Sequence, residues 1–91
     1  MKFLEQKIKI SEDTIVQDMG DGIVILNLKT ERFYEVNEVG KRFWELLTEH
    51  QEYTTALHIL QDEYDVSSEQ LQEDMNRLMK DLIKAELILV S

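Results

Sequence analysis

Between Leu26 and Leu47 the segment LNLKTERFYEVNEVGKRFWELL changes its hydrophobic period from two to about 3.6 with no linker between. A tight hairpin therefore runs straight into an amphipathic helix, and the returning strand, Arg32 to Val36, is fixed beside that helix. Nothing in the stretch pairs a nucleophile with a base, gathers metal ligands or builds a phosphate loop. A short apolar strand next to a helix suits gripping an extended peptide far better than carrying out a reaction.

Upstream of this point the pattern belongs to strands. Lys7-Ile8-Lys9-Ile10 alternates as a half-buried strand should, and Ile15 to Met19 is a second candidate. Gly20-Asp21-Gly22 follows, where glycine allows the positive φ of a tight turn. Ile23 to Leu28 is β-branched and apolar on both faces, which places it centrally in a sheet. Lys29-Thr30-Glu31 turns the chain, and Arg32 to Val36 returns antiparallel.

Asn37 is a good N-cap, and Glu38 sits where the helix dipole favours an acid. Val39, Phe43, Trp44, Leu46 and Leu47 then form one face. Gly40, within the first turn, costs about 1 kcal/mol relative to alanine, so close approach of another element is expected there. A second helix is expected over Thr54 to Tyr64, with Leu57, Leu60 and Tyr64 on one face and Ala56 and Ile59 beside them. Ser67 with Gln70 makes a capping box for the longest helix, whose stripe of Leu71, Met75, Leu78 and Leu82 is broadened by Met79 and Ile83. That width predicts a helix facing both the core and something else. Leu87 to Val90 would close the fold as a short strand or extended tail. With no proline, repeat or low-complexity stretch to mark a linker, residues 1–91 read as one α+β domain.

Composition narrows the function. No apolar run approaches the roughly 20 residues of a membrane span. Met1 to Ile10 lacks the continuous apolar segment of a secretory signal. The absence of cysteine removes disulfides and thiolate chemistry and suits a reducing, cytoplasmic setting. Ten basic against 19 acidic residues give a net charge of −9, which repels phosphate over much of the surface and favours a basic or neutral partner over nucleic acid.

The chemistry-bearing residues are scattered. His50 ends the first helix and His58 lies at a polar position of the second, neither with a carboxylate at ligand spacing. The acidic pairs Glu12-Asp13, Asp62-Glu63 and Glu73-Asp74 fall on polar faces or loops, where neighbours on a helix diverge. No catalytic residue, metal site or cofactor is assigned. Three helices beside a hairpin would also suit a winged helix that binds DNA. Against that, the last helix carries Glu69, Glu73, Asp74, Asp81 and Glu86 against Arg77, Lys80 and Lys84. The candidate with most to offer is Arg32 to Val36. At a sheet edge its main chain would be a template for another strand.

The ordered set Tyr34-x-x-Asn37-x-x-Gly40-x-x-x-Trp44-x-Leu46-Leu47, preceded by Val24-x-Leu26-Asn27, resembles the PqqD-like family of peptide-recognition domains. The likeness continues through Leu57 to Val66 and into Asp74 and Leu78 to Leu87, and is nearest to the stand-alone type of lasso-peptide biosynthesis. One departure is Glu31, where many relatives have glycine. The resemblance implies an N-terminal three-stranded antiparallel sheet followed by three helices, winged-helix-like, with no enzymatic activity of its own. Relatives bind the leader segment of a ribosomally made precursor as an added strand and pass it to a separate maturation enzyme, here a leader peptidase. Carried over, the peptide-binding residues are Arg32, Phe33, Tyr34, Glu35 and Val36 on the strand, and Asp74, Met75, Arg77, Leu78, Asp81 and Leu82 on the helix. Within the same resemblance the alternative partner is a radical enzyme of quinone-cofactor biosynthesis. A winged-helix regulator is the alternative from a different class, and a small enzyme ranks last.

Overall fold

Period-two segments followed by helical ones become, in a computed structural model that describes residues 7–90, five strands and three helices among those residues. They run β1 (Ile8–Ile10), β2 (Thr14–Asp18), β3 (Gly22–Asn27), β4 (Phe33–Asn37), α1 (Glu38–His50), α2 (Tyr53–Glu63), α3 (Ser68–Lys84) and β5 (Ile88–Val90). The part of the Met1-to-Ile10 reading that covers residues 1–6 lies outside the described residues.

The strands form two sheets. β2, β3 and β4 make the expected three-stranded antiparallel sheet in that order, so β3 is central and β2 and β4 are both edges. The first strand is not part of it. β1 pairs instead with β5, Ile8 opposite Val90 and Ile10 opposite Ile88, which makes Leu87 to Val90 a closing strand rather than a tail. Although β3 is apolar on both faces, only Ile23, Ile25 and Asn27 point into the core, and Val24 and Leu26 stay half-exposed. With the sheet placed before the helices, the winged-helix likeness is a loose one.

The hairpin between β3 and β4 explains Glu31. Asn27 C=O accepts from Glu31 N–H at 2.8 Å, while Asn27 N–H donates to Arg32 C=O at 2.8 Å. Two residues thus oppose one, a bulge whose first residue takes the left-handed conformation that glycine favours. Glu31 has φ 62° there. The extra residue moves the start of the strand to Phe33, one later than expected, and leaves Arg32 in the bulge. Asn27, the one buried polar residue among those described, locks this turn. Its Oδ1 accepts from Lys29 and Thr30 N–H, and its Nδ2 donates to Glu86 C=O at 2.7 Å, just past α3.

The helices begin where their caps dictate. Asn37 Oδ1 accepts from Gly40 N–H at 2.9 Å. A side chain at position 40 would begin 2.8 Å from Val36 Cβ, so the expected close approach is made by the preceding strand. α2 starts one residue earlier than its pattern suggests because Tyr53 is wholly buried. The Tyr53 ring meets Phe43 edge-on at 6.0 Å, its hydroxyl donates to Asn76, and burial raises its pKa to about 12. Ser67 caps α3 through Gln70 N–H at 3.4 Å, but the Gln70 side chain turns outward to Asp74, so only half of the box forms. α2 packs on α1 and α3 rather than on the three-stranded sheet. α1 packs on β3 and β4, whereas α3 packs on α1, α2 and β5 and leaves its approach to β4 to side chains.

The bulge generates a paired prediction. Glu31→Gly should stabilise the protein by about 0.5–1 kcal/mol through relief of the left-handed conformation. Asn27→Ala should cost about 1–3 kcal/mol by stranding Glu86 C=O and two amides. Thermal unfolding reads both, at about 4–8 °C per kcal/mol for a domain this small.

Candidate functional site

β4 lies at the sheet edge because β3 is its one strand neighbour. Its partners are Leu26 for Phe33, Ile25 for Tyr34, Val24 for Glu35 and Ile23 for Val36. In an antiparallel pair, residues whose main chain bonds the partner alternate with residues whose main chain points away. Arg32 C=O is bonded to Asn27. Tyr34 and Val36 therefore face β3, and the N–H and C=O groups of Phe33 and Glu35 face outward, with no strand beyond them among the described residues.

Side chains alternate as well. Tyr34 and Val36 share the inner face with Ile25 and Ile23, while Phe33 lies on the outer face at 63% exposure and Glu35 beside it. Beneath the free edge, between β4 and α3, runs a trough of about 360 Å³. Val36, Val39, Tyr64, Val66, Leu71 and Met75 make its apolar half, and Tyr34, Asp74, Arg77, Leu78 and Asp81 its more polar half. Tyr34 donates a 2.8 Å hydrogen bond to Asp81, a bar from strand to helix. That bond, with burial and the Asp81 charge, raises the Tyr34 pKa above its usual 10. Across the bar a wider depression of about 420 Å³ is lined by Glu31, Arg32, Phe33, Lys84 and Ala85. Arg32 donates to Lys84 C=O at 2.8 Å there and so fastens the bulge to the end of α3.

The residues expected from the sequence sort into three groups. Tyr34, Glu35, Val36, Asp74, Met75, Arg77, Leu78 and Asp81 come together around the trough. Arg32 and Phe33 line the neighbouring depression. Leu82 does neither. At 1% exposure it belongs to the core, and in that turn of α3 it is Asp81 that reaches β4, through Tyr34. The sequence reading missed Val39, Tyr64, Val66, Gln70 and Leu71 as lining residues. Leu71 was legible as the residue four before Met75. Val66 is exposed at 46% in the loop that breaks α2 from α3, where no periodicity marks it. Asp74 and Arg77 pair at 3.9 Å on the solvent side, a separation that contributes little. Among the described residues no group of acids and histidines could hold a metal, and no helix is long and apolar enough to cross a membrane.

A free strand edge above an apolar trough can do one thing well. It can take an extended chain, bonding its main chain on one side and burying alternate side chains below.

Comparisons with known proteins place this geometry in a group. The family model described as coenzyme PQQ synthesis protein D (PqqD) matches residues 22–88, from the start of β3 into β5. Among solved structures, TbiB1 in complex with the TbiA(beta) leader peptide is similar, with a TM-score of 0.78 and 28% identity over 88% of this chain and 93% of that one. No curated protein matches the chain.

The bar across the trough is separately testable. Tyr34→Phe should lower stability by about 0.5–1.5 kcal/mol, the net worth of one such bond. Because the folded-state pKa of Tyr34 is raised, its contribution is complete below the unfolded tyrosine value of about 10 and fades as pH rises through the higher folded value. Denaturant titrations of both proteins at neutral pH and above pH 10 should show the gap narrowing at alkaline pH.

Proposed function

The chain belongs to the PqqD family, and on that premise we propose that it binds the leader segment of a ribosomally synthesised precursor peptide and hands it to a separate processing enzyme. The leader lies along β4 as an added strand, its main chain bonded to Phe33 and Glu35 and its alternate side chains lowered toward Met75 and Leu78. The observation that carries this reading is the outward main chain of β4 directly over the β4–α3 trough. A solved relative captured with a leader peptide supports it. The chain itself carries out no reaction and works in the cytoplasm, where precursor peptides are made. The receiving enzyme is the leader peptidase of a lasso-peptide pathway. The matching family description favours a second reading, in which the same edge presents a peptide to a radical enzyme of quinone-cofactor biosynthesis. Neighbouring genes separate them: a protease and an asparagine-synthetase-like cyclase for the first, a radical enzyme for the second.

Two contributions of similar size would hold the leader. The outward N–H and C=O groups of Phe33 and Glu35 offer four main-chain bonds at about 0.5–1.5 kcal/mol each. Two side chains lowered into the trough add about 1.5–3 kcal/mol each. Ordering the flexible peptide costs about 2–5 kcal/mol or more, so removing either contribution should be felt. Backbone pairing reads no sequence, so selectivity rests with the trough.

Fluorescence anisotropy of the labelled leader should show saturable binding to the full chain. Phe33→Pro or Glu35→Pro removes an outward donor without touching the bonds to β3, so either should weaken binding about tenfold while the melting temperature stays near wild type. Absence of saturation at tens of micromolar protein would overturn the function. Equal losses of binding and stability would show that β4 is not the docking edge.

A further inference from the structure

Among the described residues the sheet has a second open edge. β2 lies on the far side of β3 from β4. Leu28 N–H donates to Asp13 C=O and Met19 N–H to Gly22 C=O, so by the same alternation Ile15 and Gln17 face β3. Thr14 N–H turns back to Ser11 C=O at 3.2 Å, and the Thr14 C=O with the main-chain groups of Val16 and Asp18 face outward. The strand keeps partners at five consecutive positions, Thr14 to Asp18, without a bulge, and contains neither proline nor lysine. Those are the devices by which proteins ordinarily close an exposed edge.

β2 also overhangs the body of the protein. Ile15 and Val16 point to opposite faces of the sheet, yet they are 47% and 42% exposed. α1 lies beneath β3 and β4, and its Lys41 reaches sideways to Asp18 at 2.9 Å. Apart from Lys41, the charge along this edge has one sign. From Ser11 to Leu28 the chain carries Glu12, Asp13, Asp18 and Asp21 and no lysine or arginine.

We infer that β2 is a second docking edge, taking an extended segment of another protein in which apolar side chains alternate with lysine or arginine. Main-chain groups of that segment would pair with Val16, Asp18 and the Thr14 C=O, its apolar side chains would cover Ile15 and Val16, and its cations would meet Glu12, Asp13 and Asp21. A second copy of this chain is the poorer occupant. Antiparallel self-pairing about Val16 puts Glu12 opposite Gly20 and Asp13 opposite Met19, each one position from an acid of the other copy, Asp21 and Asp18 respectively, and it joins two molecules of charge −9. Because β3 separates the edges, a guest on β2 leaves β4 free. The inference does not depend on what β4 binds.

The probe is a fluorescein-labelled, acetylated peptide of about eight residues alternating valine and lysine, a usual strand length. It should bind the full chain saturably, and binding should weaken about tenfold between about 50 mM and about 500 mM salt. Amide signals of Val16 and Asp18 should shift while those of Phe33 and Glu35 do not. The double variant Asp13→Lys, Asp21→Lys alters exposed side chains only and should lose about tenfold in affinity at an unchanged melting temperature. No saturation by about 1 mM peptide, shifts centred on Phe33 and Glu35, or full binding by the double variant would each overturn the inference. So would sedimentation showing a dimer that the same double variant dissolves, since the occupant would then be a second copy.

Discussion

The buried side-chain amide of Asn27 bonds the β3–β4 turn on one side and the Glu86 carbonyl beyond α3 on the other. Through the bulge it anchors, it decides which residues of β4 look outward. Strand side chains and main-chain directions both alternate with period two, so a slip of one residue would exchange every role at once. Tyr34 and Val36 would leave the trough, Phe33 would enter it, and the free amides would become those of Tyr34 and Val36. The register set at Asn27 therefore stands behind both halves of the site. Glu31 stands in the left-handed conformation of the same bulge without the freedom of glycine, which shows how firmly the turn is held.

The trough exists because α3 is held away from β4. The last helix takes its packing from α1, α2 and β5, while α1 fills the space under β3 and β4. What remains between the edge strand and α3 is bridged by side chains, above all by Tyr34 and Asp81. An edge alone would invite indiscriminate strand pairing, and a trough alone would hold only a small ligand. Together they fit an extended peptide with alternate apolar residues. The charge of −9 repels phosphate and favours a neutral or basic chain as the guest.

Much of this was legible in the residues themselves. The change of period at Asn37 marked the junction of β4 and α1, and both the Asn37 and Ser67 caps form where the sequence places them. Gly40 announced a close approach, which Val36 makes. What the sequence concealed depends on tertiary partners. Nothing local says that Ile8–Ile10 leaves the main sheet to pair with Ile88–Val90, or that Tyr53 is drawn into the core and begins α2 early. Leu82 has the spacing of a groove residue and lies in the core, because periodicity locates a stripe but not the turn at which the stripe passes from one neighbour to the next. Val66 lines the trough from a loop, where no period exists to be read.

The direction of the β4 amides is the most direct point at which the proposal meets measurement. Residue-resolved hydrogen exchange, with and without saturating leader peptide, should show the Phe33 and Glu35 amides newly protected on binding, while Tyr34 and Val36, already bonded to β3, change little. Protection that rises on the helices alone, with Phe33 and Glu35 exchanging as fast as in the free protein, would contradict strand addition at this edge.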